Sequence, residues 1–188
     1  MSPDEQTAAA APERAPLDPL EEDVDHVRGP SGAAVILEYG DYECPYSRRA
    51  FREIERAERA MKGAVRVAYR HYPLVQIHPH ALAAAAAAEA AANQDRFWEM
   101  HEILFHRQLH LADGDLRRYA RELGLDVARF DSDLSGSRVF SRVGRDVASG
   151  LQSGEVHGTP TLFINGVVHC GDYDAAALID AIDSATSR

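Results

Sequence analysis

Cysteine is nearly missing from this chain: 188 residues carry two, Cys44 and Cys170. Two thiols are too few to staple a small secreted scaffold. Long apolar runs are missing as well. A membrane helix needs roughly 20 predominantly apolar residues, and the longest candidate, 81–92, is mostly alanine and is interrupted by Glu89. No membrane insertion is therefore expected. Positive charge is scarce: 20 basic residues, of which only Lys62 is lysine, face 30 acidic ones for a net charge of -10. Nucleic acid and anionic membrane surfaces would repel such a chain and are excluded as partners. The first 25 residues lack the basic start and apolar stretch of a secretory signal, so a cytoplasmic location is expected.

What is present suits a globular α/β protein. Apolar residues make up 45% and charged residues 27%, ordinary values for one domain of this length. Residues 1–23 are rich in Ala, Pro, Glu and Asp, and a disordered tail is expected there, followed by a domain over 24–188. A short edge strand is expected at 24–27, closed by Gly29-Pro30-Ser31-Gly32. Residues 33–39 form a near-continuous apolar run, the pattern of a strand buried on both faces. After a turn, Phe51, Ile54, Ala57 and Met61 recur at helical spacing and Gly63 supplies the stop. A second strand follows at 64–69.

From 78 to about 153 the pattern is helical throughout. One helix is expected at 78–92 and another striped by Phe97, His101, Leu104 and Phe105. A third is capped by Asp113, a short one by Asp126, and a long last one is marked by Val139, Val143, Val147 and Leu151. Strand character returns at 161–164, where Asn165-Gly166 is a preferred pair for a tight hairpin turn answered by 167–169. Asp174 opens a final helix with Leu178, Ile179 and Ile182 on one face. The plan is a small mixed sheet with an all-helical insertion between two strand-bearing halves.

Cys44-Pro45-Tyr46-Ser47 stands where the buried strand gives way to a helix. A cysteine at a helix start faces unpaired backbone N–H groups and the positive end of the dipole, both of which favour the nucleophilic thiolate. Pro45 suits the first turn because it lacks an N–H that would otherwise be unsatisfied. Asp41 and Glu43 act the other way, since nearby negative charge disfavours a thiolate. A lowered but not extreme Cys44 pKa is expected.

The segment from Glu38 through Cys44-Pro45-Tyr46, the helical insertion, and the run Gly158-Thr159-Pro160-Thr161-Leu162-Phe163-Ile164-Asn165-Gly166 together resemble the DsbA-like branch of the thioredoxin superfamily, over roughly 24–185. The resemblance implies a thioredoxin fold and thiol–disulfide exchange without a bound cofactor. It further implies that Pro160 is cis, which sets the backbone of Thr159 beside the Cys44 sulfur where an extended substrate pairs, with Gly158 in the same loop. Protein or small-molecule disulfides and thiols are the implied partners.

The chain departs from the family at Ser47, where dithiol members carry a second cysteine. The second thiol normally releases the mixed disulfide; serine cannot, although its hydroxyl can hydrogen-bond the Cys44 thiolate. Three chemistries stay open: a monothiol exchanger released by a low-molecular-weight thiol as co-substrate, an exchanger resolved by Cys170, or a binder that keeps its mixed disulfide. A non-catalytic peptide-binding module and a glutathione-dependent transferase or isomerase are the alternatives. His78 and His80 at a helix start are expected to serve capping or surface roles, with no metal site, because no further ligand follows at suitable spacing. His157 is expected to be exposed near the proline loop, and Trp98 to lie in the core of the insertion.

Overall fold

The computed structural model describes residues 17–22 and 24–187. Most of the tail expected over 1–23 lies outside the described residues. The elements run β1 (His26–Arg28), β2 (Ala34–Gly40), α1 (Pro45–Met61), β3 (Val65–His71), α2 (Ala81–Ala92), α3 (Phe97–His106), α4 (Asp113–Glu122), α5 (Val127–Leu134), α6 (Ser137–Ser153), β4 (Thr161–Ile164), β5 (Val167–Val168) and α7 (Ala175–Thr186). The strands form one mixed sheet in the order β1-β3-β2-β4-β5. β2 and β3 pair in parallel because α1 carries the chain back across the sheet between them, whereas β1, β4 and β5 join antiparallel.

Both central strands are buried along almost their whole length, as the apolar run of β2 demands. One face packs Ile36, Val65 and Val67 against Ile54 of α1 and Leu178 and Ile182 of α7. The other packs Leu37, Tyr39, Ala68 and Phe163. Asn165 and Gly166, both at positive φ, turn β4 into β5. The insertion α2–α6 has its own core, in which the small side chains of α2 let Tyr42, Phe51, Tyr69 and Phe105 close around it.

Several boundaries move from the sequence reading for identifiable reasons. α2 begins at Ala81 rather than 78, because Pro79 and the tight turns before it hold the chain out of helix and leave His80 as N-cap. Asp113 is the first residue of α4 and not its cap, which is Ala112; with Asp115 it puts negative charge on the positive end of that helix. Asp126 and Asp174 do cap, accepting from the backbone N–H of Arg129 and Ala177. Beyond Val143 the buried face of α6 is polar, with Asp146, Ser149 and Ser153 inward and Leu151 62% exposed. Trp98 is only partly buried, bridges the insertion and sheet cores, and stacks under the Arg28 guanidinium at 4.6 Å.

That polar face has a cause. Arg70 near the end of β3 is 1% exposed and grips Asp25 with two hydrogen bonds of 3.0 and 2.8 Å. It also donates to Tyr39 Oη, Ser149 Oγ and the carbonyls of Asp18 and Pro19. Residues 17–22, assigned from sequence to a disordered tail, are therefore a strap: Arg70 binds its backbone while Leu17 and Leu20 pack against the sheet. Burial raises the Asp25 carboxyl, but the Arg70 hydrogen bonds outweigh it and hold it below the usual range. Arg70→Met leaves that carboxylate buried without its main partner. It should cost about 3–5 kcal/mol in urea unfolding, with Asp25→Leu in the same chain recovering much of the loss.

Candidate active site

β2 delivers the chain to the site through a turn organised by Asp41. This buried carboxylate accepts from the backbone N–H groups of Glu43 and Leu74, both at 2.8 Å, and pairs with His78 Nδ1 at 2.7 Å. Its carbonyl accepts from the Cys44 N–H. Glu43 likewise holds His80, accepting from its backbone N–H at 2.6 Å and pairing with its Nδ1 at 3.0 Å. His78 and His80 are thus not idle surface groups. They dock the segment before α2 onto the turn that leads into Cys44.

Cys44 is the N-cap of α1, with extended backbone (φ -74, ψ 120) and no side-chain capping bond. Pro45 occupies the first helical position, so the free donors of that turn lie at the next residues and point toward the cap. The residue is 3% exposed, and its Sγ–H donates to the Thr159 carbonyl at 3.2 Å. The Thr159–Pro160 peptide is cis. Gly158 completes the loop, accepting from Thr161 Oγ1 at 2.8 Å. Helix start and proline loop therefore meet at the sulfur, although 115 residues separate them.

The other named residues fall into place unequally. Ser47 is fully buried, and its Oγ accepts from the Asp41 N–H at 3.3 Å, which leaves its own proton to give. Tyr46 projects outward at 64% exposure. Cys170 is an exposed free thiol and Cys44 a buried one; Cys170 follows His169, whose N–H donates to the Leu162 carbonyl at 2.8 Å and continues the β4–β5 pairing by one residue. His157 is exposed. Gln108 caps the site from the insertion, donating to the carbonyls of Tyr42 at 2.7 Å and Cys44 at 2.9 Å.

Sequence reasoning missed two residues. Gln108 gave no signal, since an isolated glutamine in a loop is ordinary. Glu38 gave one: a carboxyl inside a strand otherwise built for burial on both faces. It is 2% exposed, its Oε1 has no partner, and burial pushes its pKa up to about 8. It shares a strand face with Gly40, where any Cβ would meet Glu38 Oε1 at 2.8 Å and the Tyr69 ring at 2.6 Å; only glycine lets these groups close up beneath the turn.

Several large apolar side chains are exposed on the segments that flank the Cys44 turn. Besides Tyr46, Leu109 is 85% exposed beside Gln108, and Val75 and Ile77 stand out from the segment tied down by Asp41. A cleft next to Pro45 runs between His80, Gln108, Leu109 and Leu111. Among the described residues no helix is long and apolar enough to cross a membrane.

Comparison with known proteins agrees with this arrangement. A thioredoxin family profile matches residues 21–184. The chain is 47% identical over 172 residues to a Na(+)/H(+) antiporter NhaA 3 of Salinispora tropica, covering 89% of this chain and 26% of that protein. It is 43% identical over 171 residues to an NhaA 1 of Mycolicibacterium vanbaalenii, covering 89% of this chain and 28% of that one. The chain therefore spans about a quarter of the curated relatives it matches. A thioredoxin-like oxidoreductase from Silicibacter pomeroyi superimposes with a TM-score of 0.78 at 29% identity, covering 89% of this chain and 95% of that one. BdbD from Bacillus subtilis shares the fold, with a TM-score of 0.80 at 21% identity over 94% of this chain and 100% of that one. With the family profile spanning nearly all of the domain, the chain belongs to the thioredoxin family, and its fold is that of BdbD and of Wolbachia pipientis alpha-DsbA1.

Proposed function

We propose that this chain is a monothiol exchanger working through Cys44. The observation that carries the reading is the 3.2 Å approach of Cys44 Sγ to the Thr159 carbonyl, beside a cis-proline loop whose backbone can pair with an extended substrate. The Cys44 thiolate attacks one sulfur of a substrate disulfide, a new S–S bond forms to Cys44, and the other substrate sulfur leaves as thiolate and takes up a proton. Ser47 has no sulfur with which to break that bond. Release falls to an external low-molecular-weight thiol, which attacks the mixed disulfide and restores Cys44. Cys170 is the other candidate for that step.

Thiolate stabilisation falls, in this reading, to the Ser47 O–H and to the free N–H groups of the first turn of α1. Glu38, largely protonated at neutral pH, adds little negative charge beneath the turn. The exposed apolar side chains of Tyr46, next to Pro45, and of Leu109, on the cleft beside Pro45, favour protein disulfides as substrates, since exposed apolar surface next to a reactive turn suits a docked peptide. Two unbridged thiols, one of them exposed, suit a reducing compartment.

Alkylation and turnover test this reading. Iodoacetamide should label Cys44 faster than a free model thiol across about pH 5–8. Cys44→Ser should reduce exchange between a peptide disulfide and added low-molecular-weight thiol to the uncatalysed rate. Labelling no faster than the free thiol, with no turnover above the uncatalysed rate, would leave a peptide-docking module as the function, and turnover that survives Cys44→Ser would move the nucleophile away from Cys44.

A further inference from the structure

We propose that His26, His71 and Glu89 form a binding site for a divalent transition metal of the zinc class, set between the sheet edge and the helical insertion. The three side chains come from β1, β3 and α2, and their ligand atoms all lie within 4.8 Å of one another. His26 Nε2 is 2.6 Å from Glu89 Oε1, and His71 Nε2 is 2.8 Å from the same oxygen. Imidazole nitrogen and carboxylate oxygen are donors that zinc prefers, at about 2.0–2.2 Å, and sites with three protein ligands leave a fourth position to water. Opening this cluster by well under an ångström per side chain would admit the ion.

The surroundings support a cation there. Every other residue of α2 is alanine or leucine, so this helix, buried on nearly all sides, carries one polar side chain, and that side chain points at two imidazoles. Among the described residues Glu89 pairs with no lysine or arginine. His26 is held in orientation by stacking on Phe97, with ring centroids 3.4 Å apart and planes 7° from parallel. Its side chain keeps 15% exposure while His71 and Glu89 are nearly closed off, so an ion would enter from the β1 edge. The ligands lie 63 and 18 residues apart in sequence, a spacing that no short motif reveals.

The full chain carrying Cys44→Ser and Cys170→Ser, so that no thiolate competes, is stripped with chelator and titrated with cobalt(II) chloride alone. One equivalent should bind with visible ligand-field bands and without a thiolate charge-transfer band. Zinc should bleach those bands and raise the melting temperature. His26→Ala, on a partly exposed edge strand, should weaken cobalt binding by about a hundredfold or more, and Glu89→Gln should do the same while keeping the shape of the site. No bands and no binding heat up to millimolar cobalt would overturn the proposal, as would bands that persist at full affinity in either folded variant. In that case the triad is a hydrogen-bonded lock between sheet and insertion.

Discussion

Replacing Ser47 with cysteine is expected to turn this protein into a dithiol exchanger, with dithiol oxidation or insulin reduction rising by at least an order of magnitude. The second position of the motif lies one helical turn from Cys44, fully buried beneath it. A sulfur there could displace substrate from the mixed disulfide without waiting for an external thiol. The substitution adds little volume. It weakens one long hydrogen bond, from the Asp41 N–H at 3.3 Å, because sulfur is a weak acceptor. On oxidation the variant should become lighter by two hydrogens, with the bridge mapped between position 47 and Cys44. Unchanged turnover in a folded variant that forms the bridge would mean that release of the mixed disulfide is not what limits this protein.

The second large effect concerns stability. Glu38 titrates near 8 in the folded chain, against an ordinary value of 4.5. A carboxyl raised on folding favours the folded state most where it is protonated in both states, below about pH 4.5, and that advantage is lost as pH rises through 8. At about 1.4 kcal/mol per unit the loss approaches 4–5 kcal/mol by pH 9. Glu38→Gln keeps the shape and removes the titration. Urea unfolding should show the variant clearly more stable than the parent at pH 9 and the two close together at pH 4. Parallel pH profiles would mean that Glu38 finds a partner or water that relieves its burial.

Much of this was legible in the residues because it is local. The buried run of β2, the Cys44-Pro45 helix start, the Asn165-Gly166 hairpin and the Asp126 and Asp174 caps each announce themselves within a few positions. What stayed hidden depends on partners far along the chain. Nothing in the sequence marks Arg70 or Asp146, whose partners are the strap 17–22 and the backbone N–H of His71. The apolar stripe expected on α6 gives way to a polar one for that reason, and the strap read as tail because its two leucines are too few to announce a core. His78 and His80 read as capping or surface groups since their partners, Asp41 and Glu43, precede them by 37 residues. Glu38 hid inside an apolar run, where hydrophobic pattern alone does not distinguish a misplaced charge from one with a purpose.

The most direct test of the account is peptide mapping by mass after the reduced protein meets a peptide disulfide at neutral pH. The account predicts one mixed disulfide on Cys44, with Ser47 unable to release it, persisting until a low-molecular-weight thiol is added. A Cys44 that stays unmodified while Cys170 takes up the peptide would contradict it, since the sulfur held against Thr159 would then not be the nucleophile.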